Sequence, residues 1–101
     1  MTRKKRYIIL IDENFPSEVR NNITSFIKQK GFGYWHWIGN VWLITVNEEW
    51  TSKKLRDEIK QFISNDGLLV VLNSSHSQGW ATFGNSRKSE WLRHNWNNGK
   101  T

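Results

Sequence analysis

Asp12 closes the apolar run Tyr7-Ile8-Ile9-Leu10-Ile11 and is the side chain of this 101-residue chain best placed for metal chemistry. A carboxylate at a strand end stays solvated while the strand behind it holds it rigidly. Such a position suits a hard divalent cation, Mg2+ or Mn2+, because magnesium takes one or two carboxylates and keeps its waters. Glu13 and Asn14 carry the nearest further oxygens, although neighbours along a strand point to opposite faces. The same three residues also suit a turn or the approach to a helix.

The remaining candidates are weaker chemically. In Tyr34-Trp35-His36-Trp37, alternation puts His36 on the face of Tyr34 and Ile38, with Trp35 and Trp37 opposite. His36 has the right pKa range for an acid–base role, and equally reads as a histidine packed among aromatics. His76 and His94 share no metal-ligand spacing. Ser74, Ser75 and Ser77 lie in no nucleophile elbow, and no glycine-rich phosphate loop follows a strand, which argues against serine hydrolases and the familiar nucleotide hydrolases.

Phosphate-binding chemistry is better supplied. The basic residues Arg3, Lys4, Lys5 and Arg6 form one group, Lys28 with Lys30 a second, Lys53, Lys54 and Arg56 a third, and Arg87, Lys88 and Arg93 a fourth. Arg3 to Arg6, Lys53, Lys54, Arg87 and Lys88 are the expected nucleic-acid contacts if they share a surface; on a helix they also suit a solvated polar face. Trp35, Trp37, Trp42 and Trp80 are the expected anchors of a partner interface, a role large aromatics often fill.

Fifteen Lys and Arg against nine Asp and Glu give a formal charge of +6, which favours polyanionic partners. Cysteine is absent, so disulfides, thiolate zinc sites and cysteine nucleophiles are excluded. No apolar run approaches the roughly 20 residues of a membrane span, and Arg3 to Arg6 precede too short an apolar stretch for a signal peptide. The expectation is a cytoplasmic protein with no membrane partner. Its length fits one domain over 1–101, with a core at 6–73 and an extension at 74–101.

The elements that must position these residues follow from periodicity. Residues 7–11 read as a central strand. Pro16 opens a helix whose apolar face is Val19, Ile23, Phe26 and Ile27, ended by Gly31. Residues 34–38 and 41–46 pair as a hairpin about Gly39-Asn40. Thr51 or Ser52 caps a second helix with apolar positions Leu55, Ile59, Phe62 and Ile63. Residues 68–72 read as a buried strand, and Ser86 to Trp96 as a short helix with Trp91 and Leu92 on one side. Each half is then β-α-β, and the whole is an α+β, ferredoxin-like β-α-β-β-α-β order with a C-terminal extension. Two helices on one face of a four-stranded antiparallel sheet leave the other face open, to be wet, functional or covered by a partner.

Arg6-Tyr7-Ile8-Ile9-Leu10-Ile11-Asp12 with the helix after it, Trp35-His36-Trp37, Val41-Trp42-Leu43-Ile44 and Gly79-Trp80 resemble a known family. It comprises the small ferredoxin-like proteins related to the second CRISPR-associated protein and to virulence-associated protein D, and the stand-alone SinR-like members in particular. The resemblance runs over about residues 6–80. It implies a homodimer with the open sheet faces together and C-terminal segments reaching across to the partner. It further implies one Asp12 per protomer near the dimer axis about Mg2+ or Mn2+, and a toxin or defence role cleaving RNA or DNA. In some relatives the scaffold only binds duplex nucleic acid or another protein. The chain departs from the pattern at Glu13-Asn14-Phe15-Pro16, which lacks a serine or arginine beside the acid, and in a helical tail where many relatives add a strand. Three readings result: a dimeric metal-dependent nuclease, a non-catalytic nucleic-acid binder, and an inhibitor of a host protein.

Overall fold

The computed structural model describes residues 4–12, 15–63, 67–76, 80–84 and 86–96. Strands β1 (Lys4–Ile11), β2 (Gly33–Ile38), β3 (Val41–Asn47) and β4 (Leu69–Asn73) make one antiparallel sheet in the order β2-β3-β1-β4. Helices α1 (Ser17–Gln29) and α2 (Ser52–Ile59) join β1 to β2 and β3 to β4, and α3 (Ser86–Asn95) follows β4. This is the ferredoxin-like order with a C-terminal helix. Among the described residues no helix is long and apolar enough to cross a membrane.

Alternation in the strands sends Tyr7, Ile9, Ile11, Trp42, Ile44 and Val46 to one face, where they bury against Ile23, Phe26 and Ile27 of α1 and Leu55 and Ile59 of α2. Both helices are amphipathic for this purpose. Gly31, at φ +74°, ends α1 in the left-handed conformation that glycine adopts without strain. Thr51 caps α2, its Oγ1 accepting from the Lys54 N–H at 3.1 Å.

Four boundaries differ from the sequence reading. The basic segment Lys4 to Arg6 is not a tail but the first turn of pleat in β1, paired with Asn47, Val46 and Thr45. The second helix stops at Ile59 and tightens into a 3-10 turn, Lys60–Phe62, from which Phe62 and Ile63 still pack on the core. Strand β4 is an edge strand buried on one face only, with Val70 and Leu72 exposed. In β2, Ile38 pairs with Val41 where unbroken register would put Trp37, so one extra residue bulges between Trp35 and Ile38. The bulge turns Ile38 away from the face of Tyr34, contrary to simple alternation.

Candidate nucleic-acid interface

Three cross-strand rows make up the face opposite α1 and α2. Ile38, Val41, Leu10 and Val70 form the first, Trp35, Leu43, Ile8 and Leu72 the second, and Gly33, Thr45 and Arg6 the third. Helix α3 lies over the third row and the β2 edge. The Trp35 indole N–H donates to the Lys88 carbonyl, the Lys88 ammonium sits 5.1 Å from the Trp37 ring centre, and Leu92 and Trp96 are buried. Gly33 is required here: a Cβ would stand 2.5 Å from Thr45 Oγ1 and 3.5 Å from the Trp91 ring. Beyond α3 the first two rows stay uncovered, and Ile38, Leu68, Val70 and Leu72 are exposed.

Arg6 is therefore not a free phosphate contact. Its guanidinium donates to the Trp96 carbonyl at 2.5 Å and the Ser75 carbonyl at 2.5 Å, and lies 5.7 Å from the Trp96 ring centre. Burial beneath α3 draws its pKa below the ordinary arginine value. The expectation that Arg6 grips nucleic acid is corrected: it pins the C-terminal helix to the sheet.

Trp42 is corrected likewise. It is wholly buried on the helix side, its indole N–H donating to Thr24 Oγ1 at 3.0 Å, because its strand parity is that of Ile44 and not of Leu43. His36 stacks on its ring at 4.3 Å between centres, with Nε2 2.8 Å from the Gly39 carbonyl oxygen. That is the packed-histidine arrangement. Trp35 and Trp37 are on the opposite face, as alternation indicated, but their polar contacts are with α3 of the same chain. Trp80 is half-buried, its indole N–H without a partner among the described residues.

Asp12 follows Leu10 by two residues and continues the open-face alternation of β1 at the corner furthest from Arg6. It is half-buried; its N–H donates to the Leu68 carbonyl at 3.2 Å and its carbonyl accepts from the Phe15 N–H at 3.4 Å. Arg20, unremarked in the sequence, fastens this corner by donating to the Phe15 carbonyl at 2.8 Å and to Asn40 Oδ1 at 3.2 Å. Glu13 and Asn14 fall outside the described residues. Among the described residues no three His, Asp or Glu side chains gather as a site for Mg2+ or Mn2+.

The lysines converge elsewhere, at the opposite end of β1. Trp50, buried, is the hub: the Lys54 and Lys30 ammonium groups stand 4.4 and 5.8 Å from its ring centre, and Lys5 Nζ reaches its carbonyl at 3.4 Å. Tyr7 Oη donates to the same carbonyl at 2.9 Å, and burial raises its pKa. Lys4 lines a cavity with Lys30 and Trp50, and Lys53 occupies the first turn of α2. Among the described residues none of these five lysines makes an ion pair; of the two acids of α2, Asp57 is held by Arg56 and Lys60, and Asp57 and Glu58 share a surface hollow with Lys53 and Lys54. The first turn of α2 carries no acidic residue, although the helix dipole favours one there, so Lys53 and Lys54 stand against the local electrostatic preference.

Asp12 lies eight residue steps along the chain from Lys4, about 26 Å at the usual strand rise. The sequence-predicted site thus divides. Lys4, Lys5, Lys53 and Lys54 come together; Asp12 is remote from them; Arg87 and Lys88 ride on α3; and Arg3 lies outside the described residues. Lys30 and Trp50 were missed as site residues. The signals were present, since Lys30 is four residues after core-facing Phe26, and Trp50 directly precedes the cap of α2 where a hydrophobic staple belongs.

A ferredoxin-like sheet with a cationic pole is the class of protein that fold and site define. No protein-family model, no curated protein and no solved structure matches the chain.

Proposed function

We propose that this protein binds nucleic acid through its phosphate backbone, as a homodimer joined by the uncovered rows of the open sheet face, without cutting it. The observation that carries this reading is the gathering of Lys4, Lys5, Lys30 and Lys54 about Trp50, with Lys53 beside Lys54 on α2 and, among the described residues, no ion pair to any of them. Gathering unpaired ammonium groups costs free energy that a polyanion recovers, with release of its counterions. The exposed Ile38, Leu68, Val70 and Leu72 supply apolar surface for self-pairing.

A labelled duplex and a labelled single strand, titrated by fluorescence anisotropy, test the reading. Five phosphate contacts give a slope of about −4.5 in log affinity against log salt, hence a roughly 10²–10³-fold loss between about 50 and 200 mM. Replacing Lys53 and Lys54 by alanine shallows that slope by about two, whereas Asp12→Ala leaves it unchanged. A salt-insensitive affinity, or one indifferent to the lysines, defeats the proposal.

Metal-dependent cleavage of RNA or DNA is the second reading, favoured by the position of Asp12 at the rim of the apolar rows. Two open faces in contact would bring the Asp12 carboxylates of the two copies together. Cutting that needs Mg2+ or Mn2+ and is lost in both Asp12→Ala and a monomeric Leu72→Lys variant would replace the binding-only reading.

A further inference from the structure

The cavity beside Trp50 is small, and unlike the hollow that Lys53 and Lys54 line together with Asp57 and Glu58, it has lysines from two separate elements. It measures about 400 Å³ and lies among the start of β1, the end of β3 and the loop leaving α1. That is the low end of small-molecule pockets, which run from about 300 to 1,000 Å³, and far short of a duplex. Lys4, from β1, and Lys30, from the end of α1, line it; both are exposed and, among the described residues, neither is ion-paired. Phe32 and Trp50, in edge contact at 5.0 Å, make its apolar side, and Asn47 and Glu49 offer acceptor oxygens on its rim.

We infer that this cavity holds one terminal nucleotide, bound through its phosphomonoester, either free in solution or as the end of a strand. The inference rests on the nucleic-acid reading above and narrows it to strand ends. A phosphomonoester carries about −1.5 to −2 charges at pH 7, against one for each internal phosphate of a strand. Two lysines lining one small cavity match the former. A carboxylate on the same rim repels phosphate, yet accepts hydrogen bonds from ribose hydroxyls, so Glu49 suits the sugar side of a nucleotide. Half-buried Phe32 offers the base an apolar wall.

Four probes separate this inference from the reading beneath it: adenosine monophosphate, one single-stranded oligonucleotide with and without its terminal phosphate, and a covalently closed dumbbell duplex. Anisotropy and competition titrations should give tighter binding of the phosphorylated strand by about tenfold, the order of one charge-assisted hydrogen bond. Adenosine monophosphate should compete for it, whereas adenosine should not. Lys30→Ala and, separately, Lys4→Ala should abolish that preference, while each weakens dumbbell binding only by its single backbone contact, a salt slope shallower by about 0.9; both residues are exposed, and circular dichroism verifies their folding. Equal affinity with and without the terminal phosphate, or a preference that survives both substitutions, overturns the inference and leaves backbone binding intact. Failure to bind even the dumbbell overturns both.

Discussion

Ile9 and Leu10 are neighbours in β1, yet Ile9 is wholly buried beneath two helices while Leu10 looks onto a face that α3 covers only at its far end. The helix side carries Tyr7, Ile9, Trp42 and Ile44 in a sealed layer, and every aromatic group there meets another ring or a hydrogen-bond partner. The opposite side is equally apolar in its first two rows but leaves Val70 and Leu72 in water. Hydrophobic composition therefore does not distinguish the two sides; coverage does. Stability resides in the first, and the second keeps accessible apolar surface of the kind that marks interaction sites.

The largest test of this contrast is Trp42→Ala. Emptying the sealed layer of its largest ring and orphaning Thr24 should cost about 3–5 kcal/mol, enough to unfold a marginal domain, as read by urea denaturation. Retention of most stability would mean that the two faces are not different in kind.

A middle-sized effect is expected at the boundary between the faces. Arg6→Ala removes the hydrogen bonds to the Trp96 carbonyl, at the end of α3, and to the Ser75 carbonyl, together with the stack on Trp96, at a cost of about 1–2 kcal/mol. Hydrogen exchange should accelerate in the amides of α3 and not in those of β3. Uniform acceleration through both would show that α3 belongs to the core after all.

The smallest effect distinguishes the buried face by pH. Burial raises the Tyr7 pKa, so the folded chain keeps its phenolic proton at pH values where the unfolded chain has lost it. That contribution is complete below the ordinary tyrosine value near 10 and is lost as pH rises through the folded value. Stability should decline above about pH 10 in the wild type and less steeply in Tyr7→Phe, which itself loses about 1 kcal/mol with its hydrogen bond to Trp50.

Element order was readable because each periodic run had one solution: apolar positions in α1 and the Gly39-Asn40 turn admit little else. The division of the tryptophans was only partly readable. Trp42 differs from Trp35 by strand parity, and which parity faces the helices depends on pairing with β1, a contact between residues far apart in sequence. The bulge in β2 leaves no local signature, since it is an adjustment to a partner strand. Arg6 looked like a member of a basic run, and only the return of residues 75 and 96 to the same place takes it out of that run. The lysine pole required three elements to meet, so sequence supplied its members and geometry their company.

The two edges of the sheet are unequal. Strand β2 is interrupted by its bulge and flanked by α3, whereas β4, Leu69–Asn73, runs unbroken without a lysine or proline. Charged, bulged or covered edges resist adding foreign strands, and plain ones accept them. Any strand exchange between copies is thus steered to one side of the molecule. An association that uses the same single edge on both partners is two-fold and leaves no strand edge of that kind open for a third copy.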